Sequence, residues 1–140
     1  MAADLDLVRR LTAAEAGLVV VATTRSDGSV QASVVNAGVL DDPETGEPCV
    51  GFVARGDARK LTLMGAAGRA CVVARSGWEW VAVEGPVRIL VQGTAGLPQL
   101  LRAVFTAAGG THENWSEFDR VMADEHRAAV LVHPARITSN

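Results

Sequence analysis

Tyrosine is absent from this chain of 140 residues, lysine occurs once, at Lys60, and aromatic residues make up only 4%. With so few rings, the core has to be filled by aliphatic side chains, and any platform for a planar ligand has to be built from valines and a few tryptophans. Cysteine is scarce too. Cys49 and Cys71 share no metal-ligand spacing, and an isolated pair reads as two small core residues rather than a disulfide. The three histidines, His112, His126 and His133, lie far apart in sequence with no cysteine partner. No metal site is expected, and each histidine is expected in solvent. No apolar stretch approaches the roughly 18 residues that cross a bilayer. Met1 to Val8 carries acids where a secretory signal has a basic segment. A cytoplasmic protein with no membrane partner is the expectation. P-loop, Gly-x-Ser-x-Gly and Gly-x-Gly-x-x-Gly patterns are all missing.

What is present is an ordinary globular balance, 49% hydrophobic and 21% charged, sized for one domain over residues 1–140. A formal net charge of −3 excludes a general nucleic-acid surface, which needs basic residues along a whole face. The periodicity predicts a helix over Asp4 to Ala16, stopped by Gly17, then a β-branched strand from Leu18 to Thr24, dense enough to be buried on both faces. Ser26-Asp27-Gly28 reads as a tight turn returning an antiparallel strand from Ser29 to Leu40. Asp41 to Pro48 reads as a solvated acidic loop before a strand from Cys49 to Ala54. A helix over Ala58 to Ala67 and a strand from Arg69 to Arg75 follow, then a strand from Glu79 to Val91 with Gly85-Pro86 marking a bulge or an edge. Helices over Leu97 to Ala108 and Trp115 to Glu125 precede a last strand from Arg127 to Ile137. About six hairpin-linked strands with three or four helices indicate a mainly β, α+β protein: a small six-stranded antiparallel barrel with peripheral helices.

Cations cluster where the third strand gives way to a helix. Between Arg55 and Arg75 there are five, Arg55, Arg59, Lys60, Arg69 and Arg75, against the single acid Asp57. A local positive patch on an acidic chain points to one anionic ligand rather than a polyanion. Ammonium, guanidinium and the free amides of a helix beginning near Asp57 together suit a phosphate.

Four stretches, in this order and spacing, resemble the pyridoxamine-phosphate-oxidase-like split β-barrel proteins, and most closely their deazaflavin-dependent reductases. They are Ala22-Thr23-Thr24-Arg25-Ser26-Asp27-Gly28, Arg59-Lys60-Leu61, Gly77-Trp78-Glu79-Trp80-Val81-Ala82-Val83-Glu84-Gly85, and Glu113-Asn114-Trp115-Ser116-Glu117-Phe118. The resemblance covers nearly the whole chain. It implies an FMN-binding split barrel, a homodimer, and a flavin or the deazaflavin F420 held in the groove between subunits. It places the cofactor phosphate on Lys60 and Arg59, with Arg55 beside them, and the ring against Ser33, Val34, Val35 and Asn36. Trp78 and Trp80, two apart, are expected on one side of a strand opposite Val81 and Val83, with Trp78 lining the groove. His112 to Trp115 matches the substrate-side segment, with Gly109-Gly110 as the hinge of a lid.

The activity implied is hydride transfer from reduced deazaflavin to an electron-poor small-molecule acceptor, an enone, quinone or tetrapyrrole. An FMN-dependent reductase or a non-catalytic cofactor carrier are the alternatives. No residue stands out as a catalytic proton donor. Two departures touch the ligand contacts: the chain has no tyrosine, and Leu61-Thr62-Leu63-Met64 replaces the Arg-Asn-Leu that often follows the family's lysine.

Overall fold

In the computed structural model, which describes residues 4–140, Asp4 caps helix α1 (Leu5–Ala14) by accepting from the Leu7 amide at 3.0 Å. Strand β1 (Leu18–Thr24) turns into β2 (Val30–Asp41) where Gly28 takes a φ of 86° and the Asp27 carboxylate accepts from the Ser29 amide at 2.9 Å. The chain continues through β3 (Pro48–Arg55), α2 (Arg59–Ala67), β4 (Arg69–Ser76), β5 (Glu79–Leu90), α3 (Leu97–Ala107), α4 (Trp115–Asp124), β6 (Arg127–Val132) and β7 (Arg136–Ser139). Every strand pairing is antiparallel, in the order β4-β1-β2-β3-β6-β5-β7, and β4 also pairs with β5. Six strands therefore close into a barrel, and β7 is an addition to it.

Aliphatic side chains fill the barrel as the scarcity of aromatics requires. Val19, Val21, Val35, Ala37, Val50, Phe52, Val72, Val81, Val83, Val130 and Val132 point inward, with Val8 and Leu11 of α1 and Leu61 and Met64 of α2 packed onto them. A second cluster lies outside the ring. There Leu97, Leu100, Leu101 and Val104 of α3, with Phe118 of α4, cover Cys49, Ala129 and Leu131. Strands β3 and β6 are thus buried on both faces. The approach of α3 to β2 is backbone to backbone, since a Cβ at Gly38 would lie 2.1 Å from the Ala107 carbonyl oxygen. Only glycine fits there.

Strand β1 departs from the expectation of two buried faces: Val19 and Val21 are buried, but Leu18 and Val20 are exposed. Within one chain nothing covers its outer side. The predicted last strand also divides, because β6 ends at Val132 and β7 begins at Arg136. Both pair with the same edge of β5: Val132 is opposite Val87, and Arg136 is opposite Glu84. Three residues, His133, Pro134 and Ala135, therefore stand against two, Gly85 and Pro86. The bulge expected at Gly85-Pro86 exists, but its extra residue belongs to the partner strand. Gly85 is required for it, since a Cβ would lie 1.8 Å from the His133 carbonyl oxygen.

The bulge turns His133 onto Asp42, Nε2 to Oδ2 at 2.8 Å. Asp42 belongs to the stretch expected to be a solvated loop, yet it is completely buried. Arg88 of β5 donates Nε to its Oδ2 at 2.9 Å and a terminal nitrogen to Oδ1, and the Glu44 amide donates to Oδ1 at 2.8 Å. His133 is correspondingly half-buried rather than in solvent. The Arg88 hydrogen bonds hold the Asp42 carboxyl well below the usual carboxylate range, against burial, which pushes the other way. Burial also pushes the neighbouring Cys49 thiol up to about 12, leaving it unreactive.

Asp42→Ala takes the buried carboxylate from Arg88 and His133, leaving Arg88 only its exposed partner Glu44 at 2.9 Å, and is expected to cost about 1–3 kcal/mol in urea unfolding. The depressed carboxyl stabilises the fold above its ordinary value of 3.8 and loses that contribution as pH falls toward the folded value. Stability of the wild type should therefore fall below about pH 4 more steeply than that of Asp42→Asn. Equal slopes would show that Asp42 does not govern acid unfolding.

Candidate functional site

Helix α3 covers the outer face of β2, β3 and β6 only part of the way, and a cavity of about 640 Å³ opens where its C-terminus ends. Strand alternation decides what reaches it. Because Val35, Ala37, Phe52, Ala54 and Ala128 point into the barrel, Val34 and Asn36 of β2, Val53 and Arg55 of β3 and Arg127 of β6 project outward, into or beside this space. Val104, Phe105, Phe118 and Met122 form an apolar wall from α3 and α4. Lys60 enters from the first turn of α2.

Of the residues expected at a cofactor site, the structure brings Lys60, Arg55, Val34, Val35 and Asn36 to this one cavity. Lys60 is half-buried, and burial lowers its ammonium from the ordinary value. No carboxylate pairs with it among the described residues. Ala58 is the N-cap of helix α2, and no side chain caps its amides. Its start therefore keeps its partial positive charge directed outward. Asn36 already donates Nδ2 to the Ala16 carbonyl at 2.8 Å, which fixes the side chain and leaves its Oδ1 as the acceptor.

Arg59, Ser33 and Trp78 are not among the lining residues. Arg59 is exposed beside Lys60. Ser33 follows the alternation of Val35 and shares a face with Gln31, away from Val34, and its Oγ is buried without a hydrogen-bond partner. Trp78 sits in the turn between β4 and β5 rather than on the strand, and is 94% exposed. Trp80 is on β5, opposite in facing to the buried Val81 and Val83 as expected.

The sequence reading missed Arg127 and the apolar wall. Arg127 follows the Asp124-Glu125-His126 turn and carries no local signal; only the pairing of β6 with β3 brings it opposite Arg55. The loop expected to be a lid is packed instead. His112, thought to be in solvent, lies half-buried among Phe105, Trp115 and Phe118 with ring centroids 5.6–6.4 Å apart, and Arg102 stacks over Trp115 at 5.5 Å while pairing with Asp119. A Cβ at Gly110 would lie 2.6 Å from the Phe105 ring. Phe105, Gly109, Gly110 and Phe118 line the cavity, and His112 and Trp115 pack against those rings. His126 is exposed, as expected.

No family model matches the chain, and no curated protein matches it in sequence. Solved structures do match in fold. A conserved hypothetical protein from Mycobacterium tuberculosis superposes with a TM-score of 0.71 at 16% identity, covering 96% of this chain and 80% of the other. A pyridoxamine 5'-phosphate oxidase-related, FMN-binding protein from Nostoc punctiforme gives 0.64 at 12% identity, covering 95% and 78%. An F420 reductase gives 0.59 at 16% identity, covering 86% and 88%. At these identities the likeness establishes a split-barrel fold, which proteins of other roles, haem storage among them, also adopt. Among the described residues there is no helix long and apolar enough to cross a membrane, and no group of three or more His, Cys, Asp or Glu that could hold a metal.

Phe118 is buried at the centre of the aromatic group and forms part of the cavity wall. Phe118→Ala should enlarge the cavity and lower stability by about 3–5 kcal/mol in chemical denaturation. A loss below about 1 kcal/mol would mean that the loop packs independently of this ring.

Proposed function

We propose that this protein is a flavin-type oxidoreductase that holds F420 in the cavity beside Lys60 and passes a hydride to an electron-poor conjugated small molecule. The observation that carries the reading is the pairing, within one half-open cavity, of an unpaired and desolvated lysine at an uncapped helix start with an apolar strand-and-helix wall. The cavity lies within the range of roughly 300–1,000 Å³ usual for small-molecule sites. The residues present fit a cofactor with an anionic tail and a planar body. Lys60 and Arg55, with Arg59 at the rim, hold the anion; Val34 and the backbone of β2 flank the ring; Asn36 offers its free oxygen to a polar edge. When bound, the deazaflavin supplies the hydride from its C5. The protein orients the ring and excludes water along the Phe105, Phe118 and Met122 wall. FMN is the alternative cofactor, and a carrier without turnover the alternative role.

The site is completed by a second copy of the chain. Beyond Val34 the cavity opens onto an uncovered apolar sheet face. Its register sets Val34 beside Val20, Val20 beside Val73 and Val73 beside Ala82, an unbroken cross-strand row from β2 to β5. Leu18, Val30 and Trp80 extend the exposed apolar surface around it. A continuous patch of this kind is what a self-complementary two-fold interface buries. Burial there would cover the outer side of β1, whose sequence reads as a strand enclosed on both faces. It would also bring Trp78 within reach of the partner's cavity.

Four measurements test this. F420 fluorescence should be quenched on titration, and Lys60→Ala should weaken binding by about 1.5–3 kcal/mol. An unaltered titration curve removes Lys60 from the site, and a retained yellow chromophore on purification replaces F420 by FMN. Sedimentation should give a dimer that Val20→Glu with Val34→Glu converts to a monomer with weakened cofactor binding; a monomeric wild type refutes the shared site. Binding of F420 without reduction of any enone, quinone or tetrapyrrole leaves the carrier role.

A further inference from the structure

Arg127 and Arg55 are directly opposite each other on β6 and β3. Side chains so placed have their Cβ atoms about 4.5–5.5 Å apart, and two like charges there destabilise a sheet. Their neighbouring acids relieve this only from one side. Glu125 accepts from a terminal nitrogen of Arg127 at 3.1 Å, and Asp57 lies 3.5 Å from Arg55. Both acids line an adjoining cleft rather than the cavity that holds Lys60. Arg127 lines the cavity, and its Nε is buried and has no hydrogen-bond partner. Arg127, Arg55 and Lys60 thus bring three cations from three elements to one cavity whose lining residues include no acid. An unpaired buried donor on a charged group is costly, and the arrangement is relieved by an oxyanion placed among the three.

We propose that Arg127 is an anion-binding residue of this cavity, its guanidinium donating to a phosphate-class oxyanion that Lys60 also holds. Glu125, which accepts from a terminal nitrogen of Arg127, offsets part of the guanidinium's charge and so competes with the anion. The inference deepens the cofactor reading of the same cavity and rests on it for the identity of the ligand, but the anion claim stands by itself. The ligand class that follows is amphiphilic: phosphate at the β3–β6 end, and a planar or apolar body toward Phe105, Phe118 and Met122.

The test compares FMN with riboflavin and 1-naphthyl phosphate with 1-naphthol, by fluorescence titration at fixed low salt. Wild type should prefer the phosphorylated member of each pair. Arg127→Gln should raise the Kd for FMN and for 1-naphthyl phosphate by about ten- to a hundred-fold, while leaving riboflavin and 1-naphthol within about two-fold. Arg127→Lys, which keeps the charge without the planar donor, should fall between. Glu125→Gln, at a part-exposed position, keeps the proposal testable if Arg127→Gln does not fold. Removing its opposing charge should tighten both phosphates by about two- to five-fold. If wild type binds 1-naphthyl phosphate in this Arg127-dependent way but neither FMN nor F420, the cofactor reading fails and the anion site survives. Unchanged phosphate affinities in folded Arg127→Gln, no preference for phosphate in wild type, or weaker phosphate binding in Glu125→Gln would overturn the inference.

Discussion

A carboxylate with no exposure to solvent, that of Asp42, is the constraint on which the closure of this barrel turns. Burying such a group alone would cost several kcal/mol. The fold must therefore deliver Arg88, His133 and the Glu44 amide to it at once. Those partners lie on the turn after β2, on β5 and on the link between β6 and β7. Meeting them fixes how β6 and β7 share one edge of β5, and hence the bulge, and hence the need for glycine at 85. One charge thereby sets the register of three strands. Replacing the whole group by apolar residues is compatible with stability in principle, but an apolar cluster has no directional bonds with which to specify a bulge.

Closure in this register has a consequence at the far end of the same strands. It puts β3 beside β6 so that Arg55 faces Arg127, on the outer surface where α3 and α4 supply a partial cover. The cover ends where α3 meets β2 at Gly38. A sheet face half under helices and half bare has a step along it, and the cavity is that step. Its floor is rigid because β3 and β6 are buried on both sides. Its wall is rigid because Phe105, His112, Trp115 and Phe118 interlock. Its open side runs onto the bare valines of β1 and β2.

Elements whose cause is local were legible in the sequence. The Asp27-Gly28 turn, the first helix beginning at Asp4, both late helices and the position of Lys60 at a strand-to-helix junction all follow from side chains within a few residues of one another. The unread features depend on pairings across the fold. Asp42 looks like a loop acid unless Arg88 and His133, 46 and 91 residues away, are known to reach it. Trp78 reads as a strand residue because its neighbour Trp80 is one, but Gly77 and Trp78 form the turn between β4 and β5. Arg127 is one cation among many until β6 pairs with β3. The burial of β1 on both faces was read from its valines, and one copy of the chain satisfies half of it.

Arg55, Lys60 and Arg127 converge on one hollow of a protein whose formal net charge is −3. Surface cations usually scatter among acids, since mutual repulsion has no compensating return and an exposed pair contributes about 1 kcal/mol at most. Here the acids that exist nearby, Asp57 and Glu125, hold the guanidiniums from behind, and desolvation presses on the lysine. The sequence thus maintains an electrostatic debt that neither packing nor pairing within the chain discharges. A small anion would discharge it, whereas a polyanion would meet the negative field of the surrounding surface. The apolar wall beside the cations argues that this anion carries a body needing to be kept from water. Binding would then be governed by the phosphate and orientation by the wall, which is the division of labour a cofactor site requires when the chemistry resides in the ligand.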